Sequence, residues 1–350
     1  LRSFIGNWAK NRESETGEKY NIYKDGLKIY TTINYEMQKH AEDAVKNHIK
    51  ILQEKFYEHW EGFEKAPYDT SWRVGQIDTL ILMPAIKRSE RYRKIKHLKL
   101  SESDLLDLFN SPTPMSVFSW SGRIDTILSP LDSIRYYNYF LHSSLISIES
   151  STGQIKAWVG GINHKQFKYD HVQEGKRQVG STFKPFIYAT AIDQFKYSPC
   201  FKVPNVQVIF EKEEWGLDED YIPENANKKY GGEFTLIEGL AKSKNTVSAY
   251  LMKRVKPKKV IALARKMGIT SYLPSVPSLC LGTAEISLFE MTGAYSTFAN
   301  EGLYIPPYFV SRIEDKNGVV LENFSNAPVE VLSKEKNHIM VKLLEGVVNQ

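Results

Sequence analysis

Cysteine is nearly absent: Cys200 and Cys280 are the only two in 350 residues. Two thiols so far apart cannot staple a disulfide scaffold, and their spacing has no metal signature. One bridge in an oxidising compartment is allowed, but both read as ordinary buried thiols. The eight histidines are scattered, so no metal site and no cofactor is expected, and His164 and His171 read as loop or surface residues. No apolar run reaches the length of about 18 residues that a membrane-spanning helix requires. An internal repeat and low-complexity tracts are lacking too. Neither charge sign dominates, since 46 Lys and Arg face 41 Asp and Glu for a net charge of +5. The basic runs 87–99 and 253–259 could attract anionic membranes or polymers, but read first as solvated helix faces. Tyr92 lies within the first of them, yet no nucleic-acid motif accompanies it.

What is present is ordinary for a globular chain, with 42% hydrophobic and 25% charged residues. The length suits one large domain or two modest ones. Lys28–Ile33 is rich in β-branched and aromatic residues and reads as a strand. Asn34 then caps a helix with Met37, Ala41, Ala44, Val45, His48, Ile49 and Leu52 on its apolar face. Residues 144–149 and 154–159 predict a hairpin. Thr235–Glu238 and Ser287–Glu290 are capping boxes that open helices. Pro257 starts another helix, which Gly268 closes. Asn317-Gly318 marks a hairpin between 308–313 and 319–324. Helices lying between two groups of strands imply a sheet covered by helices.

The chemistry concentrates in Ser181-Thr182-Phe183-Lys184, answered downstream by Ser243-Lys244-Asn245. Ser and Lys three apart on a helix share a face, so the lysine nitrogen can lie beside the hydroxyl. That suits a serine nucleophile whose base is a lysine. With Ser181 opening the helix, the positive helix end favours alkoxide character. A lone S-x-x-K arises by chance about once in a chain of this length. Ser333-Lys334-Glu335-Lys336 is such a decoy: Ser333 reads as the N-cap of a helix with Ile339, Met340, Leu343, Leu344, Val347 and Val348 on one side.

Around Ser181 the surroundings fit as well. Gly180–Ile192 (GSTFKPFIYATAI) resembles the nucleophile region of class A penicillin-binding proteins, the peptidoglycan synthases. Ile148–Gly161 before it, Thr235–Leu251 (TLIEGLAKSKNTVSAYL) and Leu279–Gly302 resemble further segments of the same family in the same order. The similarity is strong over about residues 140–350, while 28–45 match the family's connector and 60–130 match weakly. The resemblance implies an α+β, serine β-lactamase-like transpeptidase fold with an antiparallel sheet covered by helices. Residues 1–59 would form a connector strand and helix, 60–137 an inserted or linker subdomain, and 138–350 a C-terminally incomplete transpeptidase domain.

It also implies D,D-transpeptidation. Ser181 would form the acyl-enzyme and Lys184 would take its proton. Ser243 would relay a proton between Lys184 and the leaving amine. Asn245 would bind the substrate amide backbone and orient Lys184. Lys244 would point to solvent, and the Ser181 N–H would form half an oxyanion hole. Arg177, Gly180, Gly282 and Glu285 read as structural. Peptidoglycan stem peptides would be substrates, β-lactams covalent inhibitors, and other cell-wall synthesis proteins possible partners, with no nucleic acid. A membrane anchor and a glycosyltransferase domain precede this region in the family, which places the parent on the extracytoplasmic face of the bacterial membrane.

Two departures stand out. Val179 occupies a position where many relatives have proline. No Lys-Thr-Gly or Lys-Ser-Gly third motif occurs in the sequence. In the family that motif's strand completes the oxyanion hole and holds the substrate carboxylate, so acylation without it is expected to be slow or lost. A D,D-carboxypeptidase or β-lactamase-type hydrolase and a non-catalytic cell-wall scaffold are the competing readings.

Overall fold

A computed structural model describes residues 1–13, 17–63, 67–68, 71 and 73–349. Two units divide the chain: 1–41, 144–161 and 169–350 form the first, 42–143 and 162–168 the second.

In the first unit, Lys28–Thr31 pairs antiparallel with Val310–Glu314, which pairs in turn with Val320–Asn323. The hairpin between the last two strands forms where Asn317-Gly318 predicts it. Asp315 Oδ1 accepts from the N–H groups of Asn317 and Val319, both at 2.8 Å, which closes the turn. A second hairpin pairs Leu145–Glu149 with Gln154–Val159, and Ile155, Ala157 and Val159 point inward at every second position. Tyr308 ties this hairpin to the other strands, accepting from Ile155 N and donating to Gly153 O, each at 3.0 Å.

The helix Lys184–Phe195 is buried from Lys184 through Ile192. Its sequence is apolar all round, which suits a helix enclosed by others rather than one lying on a surface. Phe183, Phe186, Ile187, Leu236, Val247, Leu251, Leu279, Met340 and Leu343 belong to the core that surrounds it. Burial on this scale is the dominant stabilising term of the unit, each fully buried aliphatic or aromatic side chain contributing about 1.5–3 kcal/mol.

Both capping boxes form. Thr235 and Glu238 cap Leu236–Ala241, and Ser287 and Glu290 cap Leu288–Ala299. Glu290 does more than cap. Its carboxylate accepts from Thr270 N and Oγ1, from Ser271 N and Oγ, and from Ser287 N and Oγ, pinning the 270–271 loop to the helix start. Burial pushes its pKa up, but the hydrogen bonds outweigh that and hold it at about 2, below the ordinary 4.5. Glu290→Ala is expected to cost about 3 kcal/mol by orphaning several of these donors. The wild-type advantage is complete above pH 4.5 and declines as pH falls toward 2, because the unfolded carboxyl protonates first. Urea unfolding of both proteins at pH 7 and pH 3 checks this: the gap between them should narrow at pH 3.

Several expectations are corrected. On Tyr35–Trp60 the buried stripe is Ala41, Val45, Ile49 and Gln53, four apart, whereas Met37 and Leu52 are exposed. Gln53 is recruited because its amide bridges Tyr139 O and Leu141 N, at 2.8 Å each. On Lys334–Asn349 the buried positions are Asn337, Met340, Leu343 and Gly346, and Val347 and Val348 are exposed. Gly346 takes the inward position because a Cβ there would lie 2.6 Å from Ile237 Cγ1. Gln350, which the sequence places on the same helix, lies outside the described residues. Both cysteines are free, and Cys200 is exposed rather than buried. The decoy Ser333 stands at the start of its helix, its Oγ accepting from Lys336 N at 3.5 Å, while Lys336 pairs with Asp193 at 2.6 Å.

In the second unit, Ile77, Leu82, Ile86, Leu105, Phe109 and Leu131 form a small core. A hairpin pairs Thr113–Ser119 with Gly122–Leu128. Phe118, Tyr136, Tyr137 and Phe167 pack around Phe140.

Candidate active site

The strand Lys176–Gln178 pairs with Glu285–Ser287, which aligns the two segments that meet at the site. The next residues keep that alignment: Val179 N donates to Ala284 O at 3.1 Å and Gly180 N to Gly282 O at 2.9 Å. Arg177, Gly180, Gly282 and Glu285 all lie in this pairing. Ser181 does not open the α-helix directly. It sits in a 3₁₀ turn, Gly180–Phe183, that runs into the helix at Lys184, with Pro185 in the first helical turn. A 3₁₀ turn repeats every three residues, so Ser181 and Lys184 still fall on one side. Tyr295 OH donates to Thr182 O and Thr182 Oγ1 to Val179 O, each at 2.6 Å, fixing the turn. Tyr295 belongs to the Leu288–Ala299 helix and carries no sequence signal for this contact.

The second element lies between two helices. Lys242 caps Leu236–Ala241, and Asn245 begins the helix Asn245–Val255. Ser243 between them has φ +50°, a left-handed conformation uncommon for a residue with a side chain. That conformation turns both its carbonyl and its hydroxyl toward Lys184. Lys244 is half-buried, with its ammonium 5.0 Å from the centre of the Phe234 ring.

Lys184, 1% exposed, brings the elements together. Its Nζ donates to Ser243 O at 2.7 Å, Ser243 Oγ at 2.9 Å and Asn245 Oδ1 at 2.7 Å. Ser243 Oγ in turn donates to Ser181 Oγ at 3.0 Å. The four residues singled out in the sequence therefore form one hydrogen-bonded chain, in which Ser243 connects the lysine to the serine. Ser181 and Ser243 are exposed, so a ligand can reach the hydroxyl end while the amine end stays dry. Burial lowers the Lys184 pKa from 10.5 to about 8. Burial likewise pushes the nearby Cys280 thiol up to about 12, so it stays neutral. No group of His, Cys, Asp and Glu among the described residues could hold a metal ion.

By sequence, residues 64–141 match the penicillin-binding protein middle domain, and residues 144–350 match the penicillin binding protein transpeptidase domain. Penicillin-binding protein 1A of Aquifex aeolicus is 29% identical over 333 residues, 93% of this chain and 44% of that protein, so the chain spans less than half of the relative's length. The crystal structure of penicillin-binding protein 1A from Haemophilus influenzae aligns with a TM-score of 0.66 at 19% identity, over 100% of this chain and 58% of that one. Penicillin-binding protein A from Mycobacterium tuberculosis, solved as an imipenem acyl-enzyme complex, aligns with a TM-score of 0.50 at 16% identity, over 59% of this chain and 57% of that one. The transpeptidase match takes in more than half of the chain, including both elements that meet at Lys184. The chain belongs to the penicillin-binding protein transpeptidase family.

Proposed function

We propose that Ser181 is the nucleophile of a D,D-transpeptidase that cross-links peptidoglycan stem peptides, and that β-lactams acylate it. The observation that carries this reading is the continuous path Ser181 Oγ, Ser243 Oγ, Lys184 Nζ. With a pKa of about 8, Lys184 is neutral in a useful fraction of molecules near neutral pH.

In the neutral form the amine keeps two N–H donors and a lone pair that can accept from Ser243. As Ser181 Oγ attacks the carbonyl carbon, a C–O bond forms and its proton passes to Ser243 Oγ. The Ser243 proton passes in the same step to Lys184. When the tetrahedral intermediate collapses, the C–N bond breaks. The leaving nitrogen takes a proton from Ser243, which Lys184 replenishes. A stem peptide ending in D-Ala-D-Ala would lose D-Ala this way, and the amine of a second stem would then take the acyl group by the reverse transfers. The Ser181 N–H provides one oxyanion donor. Asn245 orients Lys184 through Oδ1, while Nδ2 donates to Glu224 O at 2.7 Å, leaving its second hydrogen for a substrate carbonyl.

This chemistry would take place on the extracytoplasmic face of the bacterial membrane, where peptidoglycan is cross-linked. Among the described residues no helix is long and apolar enough to cross a membrane.

Intact mass after incubation with benzylpenicillin tests the reading. It is measured on this chain, on Ser181→Ala, and on a form carrying a downstream Lys-Thr-Gly or Lys-Ser-Gly strand. The expected result is one penicillin adduct on the longer form that Ser181→Ala removes. An adduct on the shorter form as well would make the third motif dispensable for acylation. A folded protein that takes no adduct in either form overturns the reading and favours the scaffold.

A further inference from the structure

The helix Asn245–Val255 begins without a cap of its own. The first N–H groups of any helix need acceptors, and the N-cap position here is Lys244, whose side chain accepts nothing. The acceptor comes from far along the chain. Asn225 Oδ1 takes the N–H of Asn245 at 3.0 Å and the N–H of Thr246 at 3.3 Å.

Asn225 is itself held on the other side. Its Nδ2 donates to Asn205 Oδ1 at 2.9 Å and to Lys229 O at 3.1 Å. Asn205 accepts from Thr246 Oγ1 at 2.8 Å and donates to Gly231 O at 3.1 Å. Asn205, Asn225 and Thr246 are 3%, 3% and 0% exposed. A closed amide network of this kind is rigid, because any rotation of an amide leaves a buried donor or acceptor without a partner. The neighbouring residue fixes the remaining freedom. Glu224 O accepts from Asn245 Nδ2 at 2.7 Å, which forces Asn245 Oδ1 to face Lys184. An Asn245 amide turned the other way would aim its own donors at the lysine nitrogen.

We infer that Asn225 is a positioning residue for acyl transfer, capping the Asn245 helix in trans so that Ser243 and Asn245 are presented to Lys184 in one arrangement. Nothing in the second motif itself can do this, since Ser243 and Asn245 both spend their side chains on the reaction path. The inference rests on the acyl-transfer reading above.

The test is the kinetics of benzylpenicillin acylation at pH 9, where Lys184 is mostly neutral, on the form that carries a downstream Lys-Thr-Gly or Lys-Ser-Gly strand, unsubstituted and with Asn225→Ala or Asn205→Ala. Asn225→Ala removes the acceptor and is expected to lower the first-order acylation constant at least tenfold, with the dissociation constant of the pre-acylation complex within twofold of wild type. Asn205→Ala keeps the capping oxygen but removes the side chain that holds the Asn225 amide, and is expected to give a smaller, severalfold loss. A residue needed only for folding would instead lower the fraction of protein acylated at saturation and leave the rate constant of the remainder unchanged. If Asn225→Ala does not fold, Asn205→Ala decides: a severalfold lower rate constant in the folded variant supports the inference, and a wild-type rate constant overturns it. A folded Asn225→Ala that acylates at the wild-type rate also overturns it, while leaving the function of Ser181 intact. Absence of an adduct on the unsubstituted form overturns both.

Discussion

Lys184→Met is expected to lower the rate of Ser181 acylation by about a thousandfold and to flatten its dependence on pH, since a positioned general base contributes on this order. The lysine as an ammonium donates to three acceptors, Ser243 O, Ser243 Oγ and Asn245 Oδ1. Three donors are all an ammonium has, so in this state it cannot take a proton. Loss of one proton frees a lone pair and opens the path from Ser181 through Ser243. The wild-type rate should therefore rise tenfold per pH unit below about 8 and level off above it. At pH 7 about one molecule in ten is competent. Stability moves with the same proton. The unfolded lysine holds it up to about its ordinary 10.5 while the folded one releases it near 8, so folded-state stability rises with pH across that window. Methionine has nearly the same length and no charge, so the variant loses this rise as well as the activity. Stopped-flow acylation from pH 6 to 10 on the form carrying the downstream Lys-Thr-Gly or Lys-Ser-Gly strand, paired with urea unfolding at pH 8 and pH 10, reads both effects. A Lys184→Met protein that keeps the wild-type pH profile would assign the base to another group.

The sequence made local devices readable and left the long-range ones hidden. The capping boxes at Thr235 and Ser287, the Asn317-Gly318 turn and the Ser181–Lys184 spacing are contacts between residues a few positions apart. Their chemistry is complete within one helical turn or one hairpin, so periodicity and residue type suffice to find them. The faces of amphipathic helices were less legible. Val347 and Val348 continue an apolar stripe by periodicity but are exposed, because burial depends on which neighbour each turn meets. The supports of the site were not legible at all. Asn225 reaches Asn245 across 20 positions, and Tyr295 reaches Thr182 across 113. Asn in a loop and Tyr on a helix have many ordinary uses, and only the tertiary fold selects these.

Gly282→Ala is expected to be the most damaging substitution outside the reacting residues, and Gly180→Ala, at its hydrogen-bonded partner, a mild one. The two glycines face each other through the bond from Gly180 N to Gly282 O. Both have positive φ, +56° at Gly180 and +72° at Gly282, so an alanine at either position carries a conformational cost of about 1–2 kcal/mol. What separates them is space. A Cβ on Gly180 meets nothing within 4 Å. One on Gly282 would lie 1.9 Å from Gly180 O, 2.6 Å from Gly180 C and 2.8 Å from Gly180 N. These are backbone atoms and cannot rotate away as a side chain could. Relief requires the 3₁₀ turn that carries Ser181 to move, and a displacement of about 1 Å at a reacting atom can cost a hundredfold in rate. Gly282→Ala should therefore lose about 3 kcal/mol or more of stability, and its surviving folded fraction should acylate about a hundredfold more slowly. Gly180→Ala should lose about 1–2 kcal/mol and keep its rate within a few-fold. Urea unfolding with acylation kinetics on the folded fraction separates the cases. Equal behaviour of the two variants would mean that backbone conformation alone, and not the contact between the segments, sets the position of Ser181.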